Sequence, residues 1–332
     1  MNKPIIPLDG ESAGLSPTRH EDKQLENSTP IRGKSMRDFW HWMFSPERRG
    51  AMLVAPALIM LFLMNIFPLM WSFGLSFFHY KASSMRPPRF AGFYYYEKVL
   101  SDPVVWERLQ TTALIVSLSV LLQMVIGFSM ALLFEKKFPF RRELLMLVLT
   151  PMMLSFVAVG VFFKLFYEPT FGILSQGYAY FFGEPLTLLA TKWGAIWAIV
   201  VADAWMWSPF VMLLVLAGLV SVPDYLYEAA AVDRASWWRR FKTVTFPYVK
   251  GLLLLALLFR TIETFKIFDV VYLITAGGPG TSTETIAVYV YKIAFQFFKT
   301  SQSSALSYIL LFVVIVLTNL YLYFVNRRNE EV

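Results

Sequence analysis

Residues 111–134 read TTALIVSLSVLLQMVIGFSMALLF, a run without a single charged side chain. A helix of about twenty mostly apolar residues is long enough to cross the hydrocarbon core of a bilayer. Lipid offers no hydrogen-bond partner to backbone amides, so a crossing segment of this kind is expected to be helical. The run therefore predicts that the chain is an all-α integral membrane protein.

Other segments of the chain have the same length and apolar character. The six predicted spans are 51–78, 111–134, 144–166, 193–220, 249–274 and 304–325. A further apolar stretch at 285–298 is too short to cross and contains Lys292 and Gln296, so we interpret it as an interfacial or half-inserted helix. The composition agrees, because 16% of the residues are charged, whereas about a quarter are charged in soluble chains.

Lysine and arginine residues lie in short clusters between the spans, where such residues mark the cytoplasmic side. The residues expected on this side are Lys34, Arg37, Arg48, Arg49, Lys136, Lys137, Arg141, Arg142, Arg234, Arg239, Arg240, Lys242, Arg327 and Arg328. Six spans with both termini in the cytoplasm place all of them on one side. Lys81, Arg86, Arg89 and Lys98 fall in the loop after span one and run against the pattern.

The polarity of the chain changes near residue 45. Residues 1–45 are polar, contain four prolines and show no apolar period, so they are predicted to form a flexible cytoplasmic tail. Residues 46–332 are predicted to form one six-span domain. The first apolar run is too long for the core of a cleavable signal, so it is expected to remain as a span of a multi-pass inner-membrane protein.

Several function classes are disfavoured by composition. The net charge of +7 does not indicate nucleic-acid binding, because the basic residues lie between apolar runs. The chain has no cysteine, and its three histidines stand apart, so no metal site is predicted. The turn Gly277–Gly280 lacks the lysine and the spacing of a phosphate-binding loop. No catalytic residue and no cofactor is predicted, and any ATP chemistry would belong to a partner protein.

The segment between spans four and five reads PDYLYEAAAVDRASWWRRFKTVTFP at residues 223–247. Good helix formers occupy 225–231, Asp224 is placed as the N-cap, and Glu228 is expected to project from this helix. A solvated cytoplasmic face explains the charges of such a loop as well as a docking role does.

The same segment resembles a known family. Glu228-Ala229-Ala230, then Arg234 and later Val244-x-Phe246-Pro247, is similar to the EAA loop of binding-protein-dependent ABC importer permeases. In that family the loop forms a coupling helix seated in a cleft of the ATPase subunit. The resemblance therefore implies that the ATPase-coupling residues here are Glu228, Ala229, Ala230, Asp233 and Arg234.

Arg234 stands where the family has glycine. Glycine readily forms a left-handed turn, a conformation that arginine adopts reluctantly. We therefore expect either a helical turn at this point or a left-handed conformation at Asp233.

Further motifs in the same order as in the sugar-importing branch of the family extend the resemblance over most of residues 50–326. They are Phe138-Pro139-Phe140-Arg141-Arg142, Tyr167-Glu168-Pro169, Gly172-Ile173-Leu174, Asp203-Ala204-Trp205, Pro209-Phe210, Phe268-Asp269 and Thr275-Ala276-Gly277-Gly278-Pro279. The chain looks like the first of the two unlike permeases in maltose-type and glycerol-phosphate-type systems. This implies three partners: a second permease subunit, a dimer of ATPase subunits and an extracytoplasmic solute-binding protein.

Span five carries Arg260, Glu263, Lys266 and Asp269, whose charges alternate at intervals of three residues. Neighbours three apart touch on a helix, so a ladder in which each charge pairs with the next explains them without any solute. Ionisable groups in a bilayer also commonly line an aqueous cavity, which gives Glu263, Lys266 and Asp269 a place on a solute path. The sequence leaves both interpretations open.

Asp203 lies near the middle of span four, close to Trp205. A carboxylate beside aromatic faces suits a sugar, whose hydroxyls bond the carboxylate while its C–H faces lie on the rings. We therefore place Asp203 and Trp205 on the solute path; a helix-packing role is the alternative. Trp193 and Trp197 are interpreted as interfacial residues. Hydrogen bonds between helices are the role that we assign to the side chains of Asn65, Gln123 and Asn319.

The reading that follows is a non-catalytic permease subunit that moves a sugar, an oligosaccharide or a sugar-like solute by alternating access. Because the outer loop contains basic residues, an acidic solute stays among the alternatives. A rival from another class is a gradient-driven secondary transporter or channel that uses the span-five charges as an ion relay. A membrane-embedded enzyme is disfavoured, because the sequence shows no catalytic constellation built on histidine, on cysteine or on a serine with a base.

Overall fold

The computed structural model of the protein describes residues 46–84 and 86–330, so the predicted tail at 1–45 lies outside the described residues. Helices α1 to α7 are Pro46–Leu61, Phe67–Ser76, Tyr94–Leu100, Pro103–Glu135, Arg141–Met153, Phe156–Phe166 and Ile173–Phe182. Helices α8 to α14 are Lys192–Val220, Asp224–Val232, Trp237–Arg240, Phe246–Phe265, Asp269–Ile274, Ile286–Tyr291 and Thr300–Glu330. Two short strands, β1 (Phe78–His79) and β2 (Arg89–Phe90), pair antiparallel between α2 and α3.

Five helical segments of the described chain are long and apolar enough to cross a membrane. They are Leu53–Ser76, Pro103–Glu135, Lys192–Val220, Trp237–Phe265 and Thr300–Tyr323. The all-α membrane class is thereby confirmed. The count becomes six only if the pair α5 and α6 is taken as one crossing, and the cytoplasmic position of both termini stays a prediction.

The predicted third span, 144–166, is not one helix. Helices α5 and α6 bend by 98° at a break around Leu154 and Ser155. Pro151 removes a backbone donor in the last turn of α5. Ser155 then caps α6, and its hydroxyl accepts a hydrogen bond from the Ala158 amide at 3.2 Å. A proline followed by a capping serine thus divides the apolar run.

Helix α8 forms the centre of the fold within residues 69–330, with many of its residues fully buried. Its main partner is α4, and Gly127 lies at their contact. A Cβ atom at Gly127 would stand 2.6 Å from the Val211 Cβ and 2.7 Å from the Ser208 carbonyl oxygen. The small residue therefore permits the close approach of two helix backbones, as is common between membrane helices.

The predicted fifth span, 249–274, is also interrupted. Helix α11 ends at Phe265, the chain turns through 266–268, and the short helix α12 begins at Asp269. Helix α12 packs on α6, where Leu273 contacts Gly160. The apolar stretch Ile286–Gln296 that follows is too short to span, as predicted, and its interfacial or half-inserted position stays a prediction.

A buried ion cluster holds the segment after α12 against α4. Glu284 accepts a hydrogen bond from the Arg108 Nε, and the Lys292 ammonium lies 2.6 Å from its other oxygen. The Thr112 hydroxyl oxygen accepts a hydrogen bond from the Ile286 amide at 2.8 Å. The Thr285 hydroxyl donates to the Ile267 carbonyl at 3.2 Å. Residues 284–286 thus connect α4 to the turn at 266–268.

Candidate functional site

A cavity of about 170 Å³ lies where α6, α8, α11 and the turn at 266–268 meet. Its lining residues are Phe156, Asp203, Trp207, Arg260, Glu263, Thr264, Lys266, Ile267, Phe268, Asp269 and Val270. Charged groups and aromatic faces therefore share one small space. Of the solute-path residues predicted from the sequence, the cavity brings together Asp203, Glu263, Lys266 and Asp269.

A buried network on three helices forms one wall of the cavity. The Gln123 side chain of α4 donates to the Asp203 carboxylate of α8 at 2.6 Å. The Arg260 Nε of α11 donates to the Gln123 oxygen at 2.8 Å, and the Arg260 Nη2 lies 3.5 Å from Asp203. The Arg260 guanidinium also stands 4.5 Å from the centre of the Trp207 ring, within cation–π range.

At Arg260 this network contradicts the self-paired ladder, one of the two interpretations that the sequence left open for span five. Arg260 pairs with Asp203 of another helix, and its Nη2 donates to Thr264 at 2.9 Å. Asp203 is 3% exposed and Arg260 is 2% exposed. A buried charge needs a partner and further hydrogen bonds, and this arrangement supplies both.

The outer part of the ladder differs from the inner part. Lys266 and Glu263 do pair, at 3.0 Å, but their side chains are 53% and 56% exposed. Asp269 belongs to α12 and forms no ion pair among the described residues. The break at 266–268 removes the continuous helix on which a ladder of three-residue steps depends.

Trp205 does not line the cavity. Its ring stacks on Phe162 with centroids 6.1 Å apart and meets Phe163 edge-on at 5.4 Å. Trp207 lines the cavity in the place that was expected for Trp205. Residues four apart share a helix face, whereas residues two apart point about 200° away from each other. The spacing of Asp203 and Trp207 was the signal that sequence reasoning missed.

The three amides assigned to helix contacts behave differently from one another. Gln123 links three helices through the buried network. Asn65 donates to Leu61 at 3.1 Å and Asn319 donates to Ile315 at 2.8 Å, each within its own helix. These two bonds are local, so the interpretation of Asn65 and Asn319 as contacts between helices stays a prediction.

The loop segment 223–247 folds as two helices, α9 and α10. The cap position of α9 is taken by Pro223, and Asp224 is the first helical residue, so the expected Asp224 cap is wrong. Glu228, Ala229, Asp233 and Arg234 are exposed, and Ala230 is half-buried. Glu228 forms no ion pair within the described part of the chain. The predicted coupling residues thus lie on a surface that is free to meet another protein.

The turn between α9 and α10 is left-handed at Arg234, whose φ is +50°. Asp233 has φ −71°, so neither a helical turn nor a left-handed Asp233 is present. The Arg234 amide donates to Ala231 at 3.0 Å and the Ala235 amide donates to Ala230 at 2.9 Å. Arginine therefore adopts the conformation for which glycine is suited, at a cost of about 1–2 kcal/mol.

Aromatic side chains attach the loop to the helices that cross the membrane. Trp237 and Trp238 stack on Phe241 at 5.6 and 5.7 Å, and Phe241 meets Phe128 of α4 edge-on at 5.9 Å. The Tyr227 hydroxyl lies 3.1 Å from that of Thr245. Tyr225, Val232 and Trp237 remain largely exposed. An exposed apolar surface of this kind is typical of a contact with another protein or with the membrane.

Comparison with known proteins adds three findings. The model of the family described as binding-protein-dependent transport system inner membrane component matches residues 123–330. The sulfoquinovosyl glycerol transport system permease protein SmoG of Agrobacterium fabrum is 32% identical, over 89% of this chain and 96% of the relative. The trehalose/maltose transport system permease protein MalF of Thermococcus litoralis is 33% identical, over 84% of this chain and 94% of the relative.

A solved structure is also similar in fold. The crystal structure of a bacterial ABC transporter involved in the import of the acidic polysaccharide alginate superposes with a TM-score of 0.73. The superposition covers 87% of this chain and 98% of the other, at 19% sequence identity. At that identity the likeness concerns the fold alone.

Proposed function

Since the chain belongs to the family of binding-protein-dependent transport system inner membrane components, we propose that it is a permease subunit of an ATP-driven sugar importer. The names of its relatives include trehalose/maltose and sulfoquinovosyl glycerol systems, which support a sugar or a sugar-containing solute without selecting one. The working assembly then comprises this chain, a second permease, two ATPase subunits and an extracytoplasmic solute-binding protein.

One observation carries the proposal. The helical segment Trp237–Phe265 begins in the loop that presents Glu228 and ends at the cavity, where Arg260 and Glu263 stand on its wall. At about 1.5 Å per residue this segment is long enough to reach from one face of the membrane to its interior. The π-helical residues Phe241–Thr245 join α10 to α11 without a break. A displacement of the loop is therefore passed along one helical segment to the cavity wall.

In this mechanism ATP binding closes the cleft of the ATPase dimer around α9. The stacked rings of Trp237, Trp238 and Phe241 and the contact of Tyr227 with Thr245 prevent the loop from moving on its own. The spans then rock, and the cavity changes the side to which it opens. This chain supplies no catalytic group to ATP hydrolysis, which belongs to the ATPase subunits.

We assign the solute path to the cavity lined by Asp203, Glu263, Lys266 and Asp269. Trp207, Phe156 and Phe268 supply aromatic faces there. Sugars bind where hydroxyl-bonding groups stand beside such faces. A gradient-driven transporter is not favoured, because the buried Arg260 is fixed by Asp203 and Gln123 and is not free to relay ions.

Reconstitution tests the proposal. The complex of both permeases and the ATPase subunits, placed in vesicles with its binding protein, should accumulate sugar only when ATP is supplied. Ionophores that collapse proton and sodium gradients should leave the initial rate unchanged. Uptake that continues without ATP and stops with an ionophore would establish the gradient-driven alternative.

A further inference from the structure

The charges on the cavity wall are unequal. Three carboxylates, on Asp203, Glu263 and Asp269, face two basic groups, on Arg260 and Lys266. Three negative charges against two positive charges leave one negative charge in excess. This balance bears on the acidic solute that the sequence left open.

Both basic groups already have partners. Arg260 is 2% exposed, with its Nε bound to Gln123 and its Nη2 bound to Thr264 and close to Asp203. An anion could engage these nitrogens only by displacing buried groups, which would then be left unsatisfied. Lys266 is neutralised by Glu263 at 3.0 Å. Each basic side chain of the cavity thus already has a carboxylate within 4 Å, and neither stands there as an unpaired cation.

Asp269 is the group left over. It is half-buried at the start of α12, lines the cavity and makes no ion pair among the described residues. An ionised carboxylate only accepts hydrogen bonds, so sugar hydroxyls suit it and carboxylate or sulfonate groups do not. Two like charges within a few ångströms in a partly desolvated space repel strongly.

We infer that this permease takes a sugar that carries no anionic group, and that Asp269 is the residue that rejects anionic sugars. The inference rests on the proposed solute path. Asp269 accepts hydroxyl hydrogen bonds, while Trp207 and Phe268 contact the apolar faces of the sugar. The outer-loop basic residues do not reach this space, since none of them lines the cavity.

The chain has no cysteine, so a single introduced thiol can report solute at the cavity. Phe156 lines the cavity and is 42% exposed, and Phe156→Cys keeps all five charges. The variant is assembled with partner subunits whose cysteines have been replaced and is labelled with a small water-soluble thiol reagent. Protection is titrated with maltose, with the same disaccharide carrying one glucuronate, and with the same disaccharide carrying one glucosamine.

The glucuronate sugar should need at least about tenfold more concentration than maltose for half-protection, a difference equivalent to about 1.4 kcal/mol. The glucosamine sugar should protect at least as well as maltose. Adding Asp269→Asn should reduce the gap, the ratio of the half-protection concentrations of the glucuronate sugar and maltose, to threefold or less. Adding Asp269→Lys instead should reverse the order of the two concentrations. Glu184→Gln, which removes an exposed carboxylate outside the cavity, should leave the gap unchanged.

Two results overturn the inference alone: protection by the glucuronate sugar at or below the maltose concentration, or an unchanged gap in Asp269→Asn. If none of the three sugars protects the thiol in an assembled complex that still takes up maltose, the cavity is not on the solute path. The proposed path and the inference then both fall. The two failures are thus distinguishable in one titration series.

Discussion

Removing the Asp203 carboxylate should destabilise the protein far more than removing the shorter ion pair of Glu263 and Lys266. Asp203→Ala leaves the Arg260 charge buried, with only Gln123 and Thr264 to bond it. Breaking a buried pair by loss of one partner costs about 3–5 kcal/mol. Lys266→Ala breaks a pair at 3.0 Å, but both side chains are more than half exposed and such pairs contribute at most about 1 kcal/mol.

The assay is thermal unfolding of the assembled complex in lipid nanodiscs, followed by loss of its elution peak. At about 2 °C per kcal/mol, the lower end for large domains, Asp203→Ala should lower the midpoint by about 6 °C or more. Lys266→Ala, the matched control, should lower it by about 2 °C at most. The distance from Arg260 Nη2 to Asp203 Oδ1 is 3.5 Å, longer than that of the exposed pair. We nevertheless expect the buried pair to contribute more to stability, because its charges are removed from water.

A double variant separates charge burial from packing. Asp203→Leu with Arg260→Met replaces the pair by apolar groups and should recover most of the stability lost in Asp203→Ala, because the uncompensated charge is gone. If Asp203→Ala and Lys266→Ala shift the midpoint equally, the Asp203 and Arg260 charges are hydrated in the protein. The reasoning from burial would then be refuted.

Three further expectations follow from the loop and from the helix contacts. Glu228→Lys should leave the complex assembled but lower sugar uptake by tenfold or more while ATP hydrolysis continues; wild-type uptake by the purified variant complex would contradict this. Arg234→Gly should keep uptake and raise the unfolding midpoint, because glycine adopts the left-handed φ without strain, which should increase stability by up to about 1 kcal/mol. Loss of uptake in an assembled complex would show that Arg234 makes a specific contact. Gly127→Ala should lower the midpoint by forcing α4 and α8 apart, whereas Gly177→Ala, with nothing within 4 Å of the added methyl group, should not; equal midpoints for the two variants would show that the helices separate without cost.

The spans could be predicted from the sequence because lipid imposes a single solution on an apolar run, a hydrogen-bonded helix. The breaks could not be predicted from apolar length, which runs through them without change. Pro151 and Ser155 do mark the first break. The second, at 266–268, has neither proline nor glycine, and its buried Ile267 carbonyl accepts a hydrogen bond from the Thr285 hydroxyl. That contact is tertiary and has no local signal.

The site residues were visible in the sequence, but their partners were not. Charged residues inside apolar runs are few and therefore easy to find. Which of them pair depends on where helices meet, and the ion pair between Asp203 and Arg260 joins residues far apart in the chain. At Arg234 the departure from the family residue correctly located an unusual turn, but the turn strains the arginine itself because the hydrogen bonds to Ala230 and Ala231 fix the backbone.

The buried network also limits how the cavity can change shape. In the proposed mechanism helix α11 carries the coupling motion, and Arg260 of α11 is bonded to Gln123 of α4 and lies close to Asp203 of α8. If α11 moved alone, these bonds would break and leave buried polar groups unsatisfied, each at a cost of about 1–3 kcal/mol. It is cheaper for α4, α8 and α11 to move together. We therefore expect the three helices to rock as one body, so that the cavity opens and closes against the second permease and the Asp203 wall keeps its geometry throughout.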